Sequence, residues 1–156
     1  MQIFIGTAGI SHNTVFLISQ IGSQVATRFA QGLEPLGIRP AHFDVLVQIS
    51  RSEGQSQQRL AELVGVHRNV MVGLIDDLER RELVERRSHP EDRRAHAIHL
   101  AGAAFELLSR AELVAEECEA SLFAGIDPAE HDHLREVLQR IARHVGLTPS
   151  LQHVHA

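Results

Sequence analysis

Apolar residues recur at spacings of three and four along most of the chain. From Asn13 to Leu36 they fall at Ile18, Ile21, Val25, Phe29, Leu33 and Leu36, one face of a long amphipathic helix. Gly37 is a breaker, and Pro40 stands where a second helix would begin. A short stripe of Phe43, Leu46, Val47 and Ile49 follows and ends near Ser50. Arg51–Gln55 is polar with a glycine and reads as a loop. Ser56 then suits the N-cap of a short helix carrying Leu60, Leu63 and Val64. Gly65 breaks that helix, and a new stripe starts at Val66, Val70, Leu74 with Ile75, and Leu78. Two helices joined by a glycine-containing turn of three or four residues form a helix-turn-helix signal.

The period then changes. Leu83–Arg87 alternates loosely, and Ala95–Leu100 is compatible with a strand. The polar stretch Ser88–Arg94, with Pro90 at a turn position, links them. The pattern predicts a β-hairpin with a long, arginine-rich tip, a shape uncommon unless the tip touches something. Helical spacing returns with Phe105, Leu107, Leu108, Ala111, Val114, Cys118 and Leu122, and Gly125 ends that helix. Asp127-Pro128 caps a last one with Leu134, Val137, Leu138, Ile141 and Val145 on its apolar face. Residues 1–36 therefore read as an N-terminal arm and helix, 37–100 as a winged unit, and 101–156 as C-terminal helices and a tail. The terminal helices have no core of their own and pack most simply against each other, within the chain or across a two-fold axis.

Composition changes this picture little, but charge refines it. The chain has 156 residues, 44% hydrophobic and 22% charged, with 15 cations and 20 acids for a formal charge of −5. All the cations are arginine. A net acidic chain argues against binding polyanions by charge alone. The excess is unevenly placed, however: residues 51–100 balance nine Arg against nine acids, so the flanks carry the whole −5. Four arginines fall within 86–94, and guanidinium groups suit phosphate and groove contacts. A solvated hairpin with internal ion pairs is the rival reading of this cluster. No apolar run reaches the roughly 18 residues of a spanning helix. The start lacks a basic signal region, and one cysteine builds no disulfide framework. These features point to a cytoplasmic protein without a membrane partner.

The run LAELVGVHRNVMVGLIDDLERRELVERRSHPEDRRAHAIHL resembles the winged helix-turn-helix of MarR-type transcriptional regulators. The specific part is the wing: Pro90, then Asp92-Arg93-Arg94, then a strand ending at Leu100. Helix order and chain length match over essentially the whole sequence. The resemblance implies a mainly α fold with a small β-wing, flanked by long dimerisation helices. It implies a homodimeric regulator of double-stranded DNA, most simply a repressor on a pseudo-palindromic operator, released by an aromatic or phenolic effector.

Carried onto these residues, the helix opening near Arg68 enters the major groove, where His67, Arg68 and Asn69 are the base readers. Arg can pair with guanine and Asn with adenine. Ser56 and Gln57 offer a helix N-terminus to a phosphate, although capping alone explains Ser56 equally well. Arg86, Arg93 and Arg94 supply wing cations. Arg94 enters the minor groove, oriented by Asp92. His12, Arg39 and His42 lie near the helices that would line an effector pocket, and each also reads as a surface residue.

Three departures stand out. Gly73 and Asp77 replace residues that are often basic or polar in such regulators, and Glu82 replaces a glycine that commonly precedes the first wing strand. A helical dimerisation or protein-interaction module whose winged unit has lost DNA binding is therefore the alternative.

Eleven histidines invite a metal, but none shows the i, i+4 or Cys/His spacing of a zinc site. No cofactor is expected. Cys118 on an apolar stripe reads as a buried, inert thiol. Nucleophile and phosphate-loop motifs are missing, and Asp76-Asp77 and Glu116-Glu117 diverge on their helices, so the sequence does not read as an enzyme.

Overall fold

Residues 13–88 and 96–147 are described by the computed structural model. The order is α1 (Thr14–Leu33), a 3-10 turn (Glu34–Leu36), α2 (Pro40–Arg51), β1 (Gln55–Ser56), α3 (Gln57–Val64) and α4 (Arg68–Arg80). There follow β2 (Val84–Ser88), β3 (His96–Leu100), α5 (Gly102–Leu122) and α6 (Pro128–His144). Asn13 caps α1, its side chain accepting from the Val15 amide at 2.9 Å. Gly37 stops the 3-10 turn in the left-handed region at φ 71°. The chain divides into two compact units between Cys118 and Glu119, inside α5.

In the first unit the core is built by α2, α3, α4 and the sheet, with Leu46, Ile49, Leu60, Ile75, Leu78 and Ile98 fully enclosed. Phe29 of α1 meets Phe43 of α2 edge to face, with centroids 5.3 Å apart, a favoured aromatic geometry. Gly32 lets α1 approach α5, because a Cβ there would collide with Val114. Along α5, Ala104, Leu108 and Ala111 are buried while Phe105 is exposed, so Phe105 leaves the predicted stripe. Cys118 is only half-buried, less enclosed than that stripe implies.

The sheet is antiparallel in the order β1-β3-β2. Strand β2 pairs with β3 from Val84↔Leu100 to Ser88↔His96. The two-residue β1, read from sequence as the end of a loop, pairs with β3 through Gln55↔Ile98 and Ser56↔Ala97. Strand β3 is thus central, and its Ala97 and Ile98 are both buried, covering it on both faces. Glu53 secures the loop before β1: its carboxylate accepts from the Leu100 amide and lies within reach of His99 Nδ1, both at 3.3 Å.

The second unit holds the end of α5, a turn with Gly125 at φ 85°, and α6. Asp127 caps α6 through the Ala129 amide at 2.8 Å. Glu119 accepts from Arg135 at 3.0 Å and sits 3.2 Å from His131 Nε2. His131 stacks on Phe123 with centroids 3.8 Å apart. Leu134, Leu138, Ile141 and Val145 remain exposed along α6, as do Val15, Phe16, Leu17, Ile18 and Ile21 along α1. Apolar stretches of this extent on exposed helix faces call for a covering partner.

Candidate nucleic-acid interface

The geometry of the helix-turn-helix follows from its caps. Ser56 Oγ accepts from the Arg59 amide at 3.2 Å and starts α3. Gly65 ends it in the left-handed region at φ 76°, its amide bonded to the Ala61 carbonyl at 2.9 Å. Both Ser56 and Gly65 act as the sequence predicts. His67 is the N-cap of α4, with Nδ1 accepting from the Asn69 amide at 3.2 Å. An accepting Nδ1 requires that nitrogen to be unprotonated.

Helix α4 buries Met71, Leu74, Ile75 and Leu78. Val70, assigned by periodicity to the core stripe, is instead 52% exposed. Adjacent positions on a helix diverge by about 100°, and Met71 took the inward one. The outward face therefore carries Arg68, Asn69, Val70, Gly73, Asp76 and Arg80. Nothing lies within 4 Å of a Cβ built at Gly73, so this part of the helix is bare backbone beside the Val70 side chain. Arg68 and Asn69 are exposed where the sequence reading puts base readers. Gln57, the first residue of α3, has its amide nitrogen buried without a hydrogen-bond partner.

The candidate residues of the wing divide into two groups. Arg86 on β2 does not project outward. Its guanidinium is held by Asp76 and Glu79 of α4, and its side chain is mostly covered. On the same strand Arg87 pairs with Glu85. Asp92, Arg93 and Arg94 lie outside the described residues, as does His12.

Asp77 and His42 are the residues the sequence reading misplaced. Asp77 is turned toward α2 rather than into the exposed face. It accepts from Arg80 at 2.8 Å, pairs ionically with Arg81 at 3.1 Å, and lies 3.1 Å from His42 Nε2. Arg81 also donates to the Gly37 carbonyl, joining the end of α4 to the loop before α2. His42 is no surface residue. It is completely buried, with Nδ1 accepting from the Arg39 amide at 3.2 Å and the Arg39 guanidinium 3.3 Å from Nε2. Burial, with the positive charges of Arg39 and Arg81, pushes its pKa down against the opposing pull of Asp77. One signal pointed this way: His42 precedes Val45 and Leu46 by three and four, which puts it on the buried face of α2.

A profile of the MarR family matches residues 38–96, the span from the loop before α2 to the start of β3. The structure of CouR from Rhodococcus jostii RHA1 bound to p-coumaroyl-CoA is 32% identical. It superimposes with a TM-score of 0.71 over 85% of this chain and 94% of that one. The chain belongs to the MarR family. It is a DNA-binding transcriptional regulator. The repressor CouR bound to a 23-mer DNA duplex gives a TM-score of 0.78 at 27% identity, covering 88% of this chain and 98% of that one. A Thauera aromatica protein described as a transcriptional regulatory protein for the hcr operon is 29% identical over 114 residues, 73% of this chain and 69% of the relative. Within the MarR frame, α4 is the second helix of the helix-turn-helix and β2–β3 the wing. Among the described residues, no three or more His, Cys, Asp or Glu side chains gather as a metal site.

Proposed function

We propose that the protein is a homodimeric, effector-released repressor whose winged region over 37–100 reads one operator half-site per chain. The observation that carries this reading is the exposed face of α4, capped and braced from behind, bearing Arg68, Asn69 and Val70 at its first turn. Arg68 and Asn69 hydrogen-bond base edges, and Val70 supplies an apolar contact for a thymine methyl. Gly73 lets the backbone come close to the groove. Asp77 subtracts nothing from this face, which weakens the case for a winged unit that has lost DNA contact.

His67 serves chiefly by fixing the first turn of α4. Ser56 has its capping duty, while Gln57 is poised for a phosphate: a buried unpaired amide costs about 1–3 kcal/mol, and a turn of the side chain toward DNA relieves that cost. Arg93 and Arg94 are the proposed wing contacts, with Asp92 orienting Arg94. The exposed stripes of α1 and α6 are the proposed dimer surfaces, setting two recognition helices about one DNA turn apart.

Among the described residues no helix is long and apolar enough to cross a membrane; for a repressor that works on an operator the proposed location is the cytoplasm. The reading gives it no catalytic step. CouR was solved with p-coumaroyl-CoA and, separately, with DNA. By that similarity the proposed effector is an aromatic acid or its thioester, which would favour a spacing of the recognition helices that misses the half-sites. Of the candidates for holding it, His12 and Arg39 remain, and His42 drops out because its ring is enclosed by α2 and α4. Titrating an operator complex with aryl thioesters and free aromatic acids tests this: release at saturating effector supports it, and an unchanged complex with every compound counts against it.

A further inference from the structure

Beside the apolar core that α2 and α4 share, one buried imidazole stands between the two helices. His42 Nδ1 accepts the Arg39 amide and so completes the first turn of α2, which leaves the ring's one proton on Nε2, 3.1 Å from Asp77 Oδ2 and 3.3 Å from the Arg39 guanidinium. Asp77 is in turn clamped by Arg80 and Arg81 of its own helix. The charged groups facing His42 are therefore Arg39 at the start of α2 and Asp77 and Arg81 on α4. We propose that His42 is a positioning residue for DNA recognition, setting the placement of α4 through Asp77, and that protonation at Nδ1 undoes this placement.

The chemistry has one direction. A second proton has only Nδ1 to occupy, where it meets the Arg39 N–H donor head-on and adds charge beside Arg39 and Arg81. The folded protein resists that proton, so the folded pKa lies below the ordinary histidine value. Stability and correct docking are full above about pH 6.5 and are lost as pH falls through the depressed folded value.

Two substitutions separate the two halves of the ring. His42→Asn keeps an acceptor near the Nδ1 position but loses the reach to Asp77. His42→Gln keeps a donor near the Nε2 position but loses the cap. The inference rests on α4 being the DNA-reading helix, and operator binding by the wild type at about pH 8 checks that separately. Operator affinity and thermal melting are measured for all three proteins from about pH 8 to about pH 5.5, a range spanning ordinary histidine titration. His42→Asn should bind operator roughly tenfold more weakly, the scale of one lost polar contact to a charged group, while melting near wild type. His42→Gln should melt lower yet bind within about twofold of wild type, and lose the acid-side fall in affinity that wild type shows. Affinity and melting falling together in both variants would make His42 a packing residue only. A His42→Gln pH profile superimposable on wild type would likewise overturn the proposal.

Discussion

Arg86 of the first wing strand donates to Asp76 of α4, and to Glu79 one turn further on. This pair locks the wing to α4, so that a shift in one is transmitted to the other. It also spends a cation that the sequence offered to DNA. Arg86→Ala should therefore lower stability by about 1 kcal/mol and weaken operator binding by loosening the wing. It should leave the slope of log K against log salt unchanged, since no phosphate contact is lost. A slope reduced by about one would instead place Arg86 on a phosphate.

Val70 gives a prediction about the DNA rather than the protein. Its exposed side chain beside a bare Gly73 fits a thymine methyl better than any hydrogen-bonding edge. Replacing single operator thymines by deoxyuridine removes only that methyl. At one position per half-site the loss should be about fourfold, the value of one buried methyl-sized group, and Val70→Ala should abolish that difference. Equal affinity for every uridine-substituted duplex would exclude Val70 from base contact.

Glu82 has φ 58°, the one positive value at a non-glycine among the described residues. It stands where the chain turns from α4 into β2, and its amide bonds to the Glu79 carbonyl at 2.9 Å. Left-handed backbone costs an ordinary L-residue roughly 1 kcal/mol. Glu82→Gly should therefore be neutral to stabilising by up to about 1 kcal/mol, net of the entropy glycine loses on folding. Chemical denaturation measures this directly, and a clear destabilisation would mean that the Glu82 side chain contributes more than its backbone costs.

Most of the fold was legible because helix caps and 3/4 spacing are local signals. Ser56, Gly65 and Asp127 do what their residue types predict, and the wing showed itself by the change of period after Leu83. What stayed hidden depended on distant partners. Strand β1 is two residues long and exists only because β3 pairs with it. Val70 and Met71 are both apolar neighbours, so spacing alone could not decide which one faced the core. The inward turn of Asp77 and the burial of His42 are one fact seen from two helices, since the two groups lie 3.1 Å apart and each is bonded by an arginine of its own neighbourhood, Arg39 for His42 and Arg80 for Asp77. In the candidate site, the exposed start of α4 was readable, whereas the brace behind it was not.

The central claim is that the outward face of α4, with the wing, reads a particular duplex. Its most direct test is the affinity of the protein for its own promoter and for a scrambled duplex of equal length, titrated across salt. The account predicts a preference of about a thousandfold or more for the promoter sequence, with log K falling linearly and steeply against log salt. Equal affinity for the two duplexes, or no binding to either at low salt, would contradict it.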